Sequence, residues 1–197
     1  MPRKKLIYTH EFPYHVYARS NNREWFYLPI NETWDIFVSE LNRTFTEYKM
    51  SLHAFVLMSN HYHMLVTADP SYSLGEAMCE LQKSVSRRIN KVAERSNHVF
   101  GGPYKAALIK NSKDFSDVLK YIYRNPVKAG MVDLVEKHPY STISNNRMII
   151  TPPSQDIINE IPSNMLAWLN SSSDQEKEEK IKKALRRTEF KIPLRQY

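Results

Sequence analysis

The chain has 197 residues, 42% of them hydrophobic, with 12 tyrosines and 8 phenylalanines, which is enough for one domain with a real core and argues against a disordered chain. Lys and Arg total 28 against 21 Asp and Glu, and the net charge of +7 suits a polyanionic partner such as nucleic acid. The single cysteine, Cys79, excludes an internal disulfide and a cysteine-based zinc site, and is expected as a small core residue of a helix. No apolar run approaches the roughly 20 residues of a membrane span. The basic N-terminus lacks the apolar stretch of a signal peptide, so a cytoplasmic protein with no membrane partner is expected.

The elements follow in chain order. YHVYARSNNR (14–23) alternates and ends in a polar turn, which predicts a first strand. The segment 31–50 carries Trp34, Phe37, Val38, Leu41 and Phe45 at helical spacing, with Asn31 as the N-cap. SLHAFVLMS (51–59) reads as a strand apolar on both faces, Ser59-Asn60 as a tight turn, and HYHMLVTA (61–68) as the returning strand. A long helix spans 73–97, with Leu74, Met78, Leu81, Val85, Ile89 and Val92 as its buried stripe. A Gly-Gly-Pro loop leads to a short strand, 105–110. A third helix covers 112–132, broken near Pro126, with Phe115, Val118, Leu119 and Ile122 on its apolar face.

This order, β-α-β-β-α-β followed by a helix, is the α+β ferredoxin-like split arrangement. It predicts an antiparallel sheet with helices on one face and the other face open to a ligand. The main domain is expected over 1–140. Residues 141–197 form a C-terminal tail with a charged helix, opened by a capping box of Ser173 with Glu176, that docks on the core or grips a partner.

Along the second long helix, Lys83, Arg87, Lys91 and Arg95 repeat every four residues as a basic ridge, which serves either as a solvated face or as a track for phosphates. Arg19 and Arg23, near the end of the first strand, are further candidates for phosphate contact. Tyr17 or Tyr62 could stack on unpaired bases.

The stretch MSNHYHMLV (58–66) sets two imidazoles inside a strand-like run. Residues two apart in a strand share a face, so His61 and His63 point together and Tyr62, Met64 and Val66 point away. Such a pair is either hydrogen-bonded within the sheet or converges on a divalent metal, and a metal needs a third ligand. In KYIYRNPV, Tyr121 and Asn125 are four apart on one helical face, at the edge of the apolar stripe. Asn125 offers a neutral oxygen. Tyr121 offers a phenol, or simply packs. Tyr123 points elsewhere.

MSNHYHMLV followed by YIYRNPVKAGMV resembles the single-tyrosine transposases of the His-hydrophobe-His endonuclease superfamily, in particular the branch called REP-associated tyrosine transposases. YHVYARSNNREWF and HVFGGPYKAALIKNSKDFSDVLKYIYRNPVKAG are also similar to that branch, so the resemblance covers roughly residues 10 to 145. It implies a ferredoxin-like core and a metal-dependent enzyme that cuts single-stranded DNA beside a hairpin. It implies that His61, His63 and Asn125 hold Mg²⁺ or Mn²⁺. Tyr121 is then the nucleophile, leaving a 5′-phosphotyrosine that permits strand transfer. The chain departs from the branch in the FGGPYKA loop, where an arginine is often found.

Two other functions fit the same residues. A non-catalytic hairpin DNA- or RNA-binding protein derived from a transposase would bind without cutting. A metal-dependent nuclease using water would leave Tyr121 as packing, but no Asp or Glu beside the histidines offers itself as a base. A monomer is favoured.

Overall fold

The computed structural model describes residues 6–172 and 174–192. The elements run β1 (Tyr14–Arg19), α1 (Ile30–Glu47), β2 (Ser51–Leu57), β3 (His61–Thr67), α2 (Leu74–Val92), β4 (Lys105–Leu108) and α3 (Ser112–Lys128). The strands pair antiparallel in the order β2-β3-β1-β4, giving the expected α+β, ferredoxin-like fold. Three short helices follow: α4 (Gln155–Asn159), α5 (Met165–Asn170) and α6 (Gln175–Ala184).

The pleat sorts the side chains. Tyr14, Val16 and Ala18 of β1 join Tyr62, Met64 and Val66 of β3 in the larger core, which α1 and α2 close with Trp34, Phe37, Leu41, Leu81, Val85 and Ile89. Tyr62 is fully buried among them, so it anchors the strand and has no face to offer a base. Asn31 lies inside α1. The helix begins one residue earlier, after Pro29, whose carbonyl accepts from both the Thr33 N–H and hydroxyl. Ser73 and Glu76 form a reciprocal capping box at the start of α2. That helix ends at Val92, so Arg95 stands beyond it. Cys79 is exposed, because it falls one position past the Met78 stripe.

The second face of the sheet is not left open. Ala54, Val56, Leu65 and Ala107 pack against Phe115, Val118, Leu119 and Ile122 of α3 and against Leu169, Ile181, Ala184, Leu185 and Phe190 of the C-terminal segment. The apolar stripe of α3 needs a partner, and this face of the sheet supplies it. C-terminal backbone also covers both sheet edges. Leu57 donates to Tyr140 and Thr142 to Phe55 along β2. Leu108 donates to Thr188 and Phe190 to Leu108 along β4. The charged helix is capped by Asp174; Ser173 lies outside the described residues.

Helix α3 is not broken at Pro126; it runs on to Lys128. Proline cannot give an N–H to the Ile122 carbonyl. The Asn125 side-chain amide does so instead, donating to the Tyr121 carbonyl at 2.8 Å and the Ile122 carbonyl at 3.2 Å.

Because the C-terminal segment shares a core with α3, it should unfold with the sheet. Phe190→Ala should cost about 3–5 kcal/mol and keep a single urea transition by circular dichroism and fluorescence. A separate early transition would contradict this.

Candidate active site

The face of β1 and β3 turned away from the larger core carries His15, Tyr17 and Arg19 beside His61 and His63. Tyr17 pairs with His63 and Arg19 with His61. Near this end of the sheet lies a cavity of about 350 Å³. Its lining includes all five of these side chains, Tyr121 and Asn125 from α3, and Arg186 beyond the end of α6.

The two histidine rings meet edge to face with centroids 5.1 Å apart. His61 Nδ1 bonds the Asn60 side-chain oxygen at 2.7 Å, and His63 Nδ1 lies 2.9 Å from His15 Nε2. In both rings Nε2 is therefore the nitrogen with no protein partner among the described residues. Burial keeps the rings neutral. It lowers His15 to about 3 and His63 well below the usual range. His61 falls to about 4 through burial, with Arg19 adding to the shift. A neutral imidazole nitrogen is a metal ligand.

Tyr121 and Asn125 come to the same cavity one turn apart. The Tyr121 ring stands edge-on to His63, with centroids 5.9 Å apart, and Lys128 Nζ lies 4.9 Å from its centre. Burial pushes the Tyr121 phenol up to about 12, Tyr17, Glu179 and Glu178 push the same way, and Arg186 opposes them. Since the Asn125 NH₂ is held by two helix carbonyls, its side-chain oxygen is left as an acceptor with no partner among the described residues. No group of three or more His, Cys, Asp or Glu arranged to hold a metal occurs among the described residues. The donor set here is two imidazoles and an amide.

Five cations line the cavity: Arg19, Arg23, Lys105, Lys182 and Arg186, and none of the described lining residues is an acid. Arg19 donates to the Tyr17 hydroxyl at 2.6 Å. Arg23 sits in a left-handed turn, and its carbonyl accepts from the Asn60 amide at 2.8 Å, which ties the turn to the β2–β3 loop. The basic ridge is elsewhere. Lys83, Arg87 and Lys91 are exposed on α2, on the other side of the sheet, and Arg95 stacks over Tyr27 at 3.6 Å.

Sequence reasoning missed His15, Asn60, Lys105, Lys182 and Arg186. The first had a signal: in YHVYAR the alternation that buries Tyr14, Val16 and Ala18 places His15, Tyr17 and Arg19 together on the other face. Lys182 and Arg186 are four apart, but nothing in the sequence aims that row at the histidines.

The buried imidazoles make stability depend on pH. An unfolded histidine takes up its proton near ~6.5, whereas folded His61 does so at about 4 and His15 at about 3. Between those values the unfolded chain holds more protons. Their contribution is full above about pH 6.5 and falls with falling pH, by up to ~1.4 kcal/mol per unit for each ring. The urea midpoint of metal-free protein should be lower at pH 5 than at pH 7; an equal or higher midpoint would contradict the neutral rings.

Comparison with known proteins bears on the fold and the family. A Haemophilus influenzae protein provisionally designated a REP-associated tyrosine transposase is 29% identical over 116 residues, covering 54% of this chain. The match spans 66% of that relative's length, just under two thirds. A REP-associated tyrosine transposase solved bound to a REP hairpin has the same fold. It shows a TM-score of 0.62 and 18% identity, over 80% of this chain and 93% of that one. The family model described as "Transposase IS200 like" matches residues 8–125, more than half of the sequence, and this chain belongs to that family.

Proposed function

We propose that this protein is a divalent-metal-dependent tyrosine transposase that cuts single-stranded DNA beside a hairpin and rejoins it through a 5′-phosphotyrosine. One observation carries the reading. A single cavity gathers two imidazole nitrogens and an amide oxygen without protein partners among the described residues, a tyrosine one helical turn from that amide, and five cations. Membership of a transposase family and a relative solved with a hairpin support it.

The donors fit Mg²⁺ or Mn²⁺. His61 and His63 would hold the ion through Nε2 and Asn125 through its side-chain oxygen. When bound, the ion supplies Lewis-acid polarisation of the scissile phosphate. Arg19, Arg23, Lys105, Lys182 and Arg186 neutralise the phosphates on either side and hold the strand in line. The Tyr121 oxygen attacks phosphorus. An oxygen–phosphorus bond forms to the phenol, the bond to the 3′ oxygen breaks, and that oxygen leaves with the electron pair and takes a proton. The phenol must first lose its own proton to solvent, which burial resists and Arg186 favours. The adduct keeps the phosphodiester energy, so a DNA 3′-OH can reverse the step.

His63 and Tyr121 meet within one chain, which supports action by a monomer. Lys83, Arg87 and Lys91, without Arg95, then serve as a separate contact for flanking backbone. Lys83→Glu with Arg87→Glu should weaken DNA binding and flatten its salt dependence while cleavage at saturating DNA persists. Loss of cleavage at saturation would contradict that assignment.

The proposal is tested with a labelled single strand carrying a hairpin repeat, Mn²⁺, and a denaturing protein gel. A DNA-linked band absent from Tyr121→Phe is expected. Tight binding with no linked band would favour the non-catalytic hairpin-binding reading, and cleavage without a band would favour hydrolysis by water.

A further inference from the structure

His15 has no part in the reading above, yet it is 3% exposed and stands at the floor of the cavity. In the β1–β3 ladder it pairs with Leu65, which sets it diagonal to His63. The two rings stack with centroids 5.1 Å apart and planes 26° apart, and His15 Nε2 lies 2.9 Å from His63 Nδ1.

One proton occupies that line, and its position matters. If His63 Nδ1 carries it and His15 Nε2 accepts, His63 Nε2 keeps its lone pair and faces the cavity as a ligand. If His15 Nε2 carries it, the neutral His63 ring must hold its own hydrogen on Nε2, and the ligand position is blocked. His61 faces no such choice. Its Nδ1 meets the Asn60 side-chain oxygen, which can only accept, so its Nε2 is free by construction.

We propose that His15 is the positioning residue of the metal site: by accepting the Nδ1 proton of His63 it fixes the ring orientation and tautomer that leave His63 Nε2 open to a divalent cation. The inference rests on the metal reading of the site. It extends that reading to a side chain that is not among the three metal ligands. A ligand histidine commonly donates its second N–H to a partner that fixes its tautomer, and losing such a partner typically weakens metal binding 10–100-fold.

Two variants separate positioning from packing. His15→Gln retains an acceptor oxygen near the Nε2 position, whereas His15→Phe fills the space and accepts nothing. Mn²⁺ binding to the full chain is measured by electron paramagnetic resonance, alongside thermal melts and ¹⁵N spectra of the histidine rings. His15→Phe should bind Mn²⁺ about 10–100-fold more weakly and show His63 in mixed tautomers, while His15→Gln stays within a few fold of wild type. A packing role predicts the reverse order, with Phe tolerated and Gln harmful, and that order overturns the proposal. Equal Mn²⁺ affinity in wild type and His15→Phe overturns it while leaving the metal reading intact. No Mn²⁺ binding by wild type overturns the metal reading and the role of His15 with it. If neither variant folds, ring spectra of the metal-free wild type decide: His63 protonated at Nδ1 supports the proposal, and at Nε2 overturns it.

Discussion

Successive side chains of a strand point to opposite sides, and β1 and β3 give their two sides different work. Tyr14, Val16, Tyr62, Met64 and Val66 lie in the larger core. The intervening positions carry His15, Tyr17, Arg19, His61 and His63. Because the core fixes the register, it also fixes Tyr17 opposite His63 and Arg19 opposite His61. A slip of one residue would exchange the imidazoles for Tyr62 and Met64. The stability of the fold and the geometry of the site are thus one constraint.

A second backbone feature brings the remaining groups in. Pro126 denies the Ile122 carbonyl its usual donor, and Asn125 answers with its amide. This turns the Asn125 oxygen away from the helix backbone as an acceptor. Tyr121, one turn earlier, is carried to the same cavity by the stripe that buries Phe115, Val118 and Ile122 on the sheet. The C-terminal segment then closes the cavity's far wall, and Lys182 and Arg186 make that wall cationic. Electrostatics and burial pull against each other at Tyr121. Burial holds the phenol protonated, and Arg186 pulls the other way.

The strands and long helices were legible because their periods are clean, and the placing of His61 and His63 on one face follows from alternation alone. The bringing together of Tyr121 with those histidines was suggested by a family resemblance, since spacing within a helix says nothing about which strand it meets. His15 was visible in YHVYAR as a polar residue in phase with Tyr17 and Arg19, but its partner on β3 depends on register. Docking of the C-terminal segment on the core was one of two readings of the sequence, but the face it covers was not legible. Its apolar positions, such as Leu169, Ile181 and Phe190, are sparse, and they find their partners only across the sheet face that α3 leaves uncovered. The basic row on α2 shows the opposite error: regular spacing on a helix looked like one continuous ridge, yet α2 ends before Arg95, which turns onto Tyr27 instead.

Charge, fold and family membership all suit a protein that handles DNA; the proposal adds one metal centre built from two imidazoles of β3 and a helix amide beside a tyrosine. The most direct test is anomalous diffraction from crystals grown with Mn²⁺. The account predicts a single strong peak bonded to His61 Nε2, His63 Nε2 and the Asn125 side-chain oxygen. A peak bonded elsewhere, or none at a Mn²⁺ concentration that supports DNA cleavage, would contradict it.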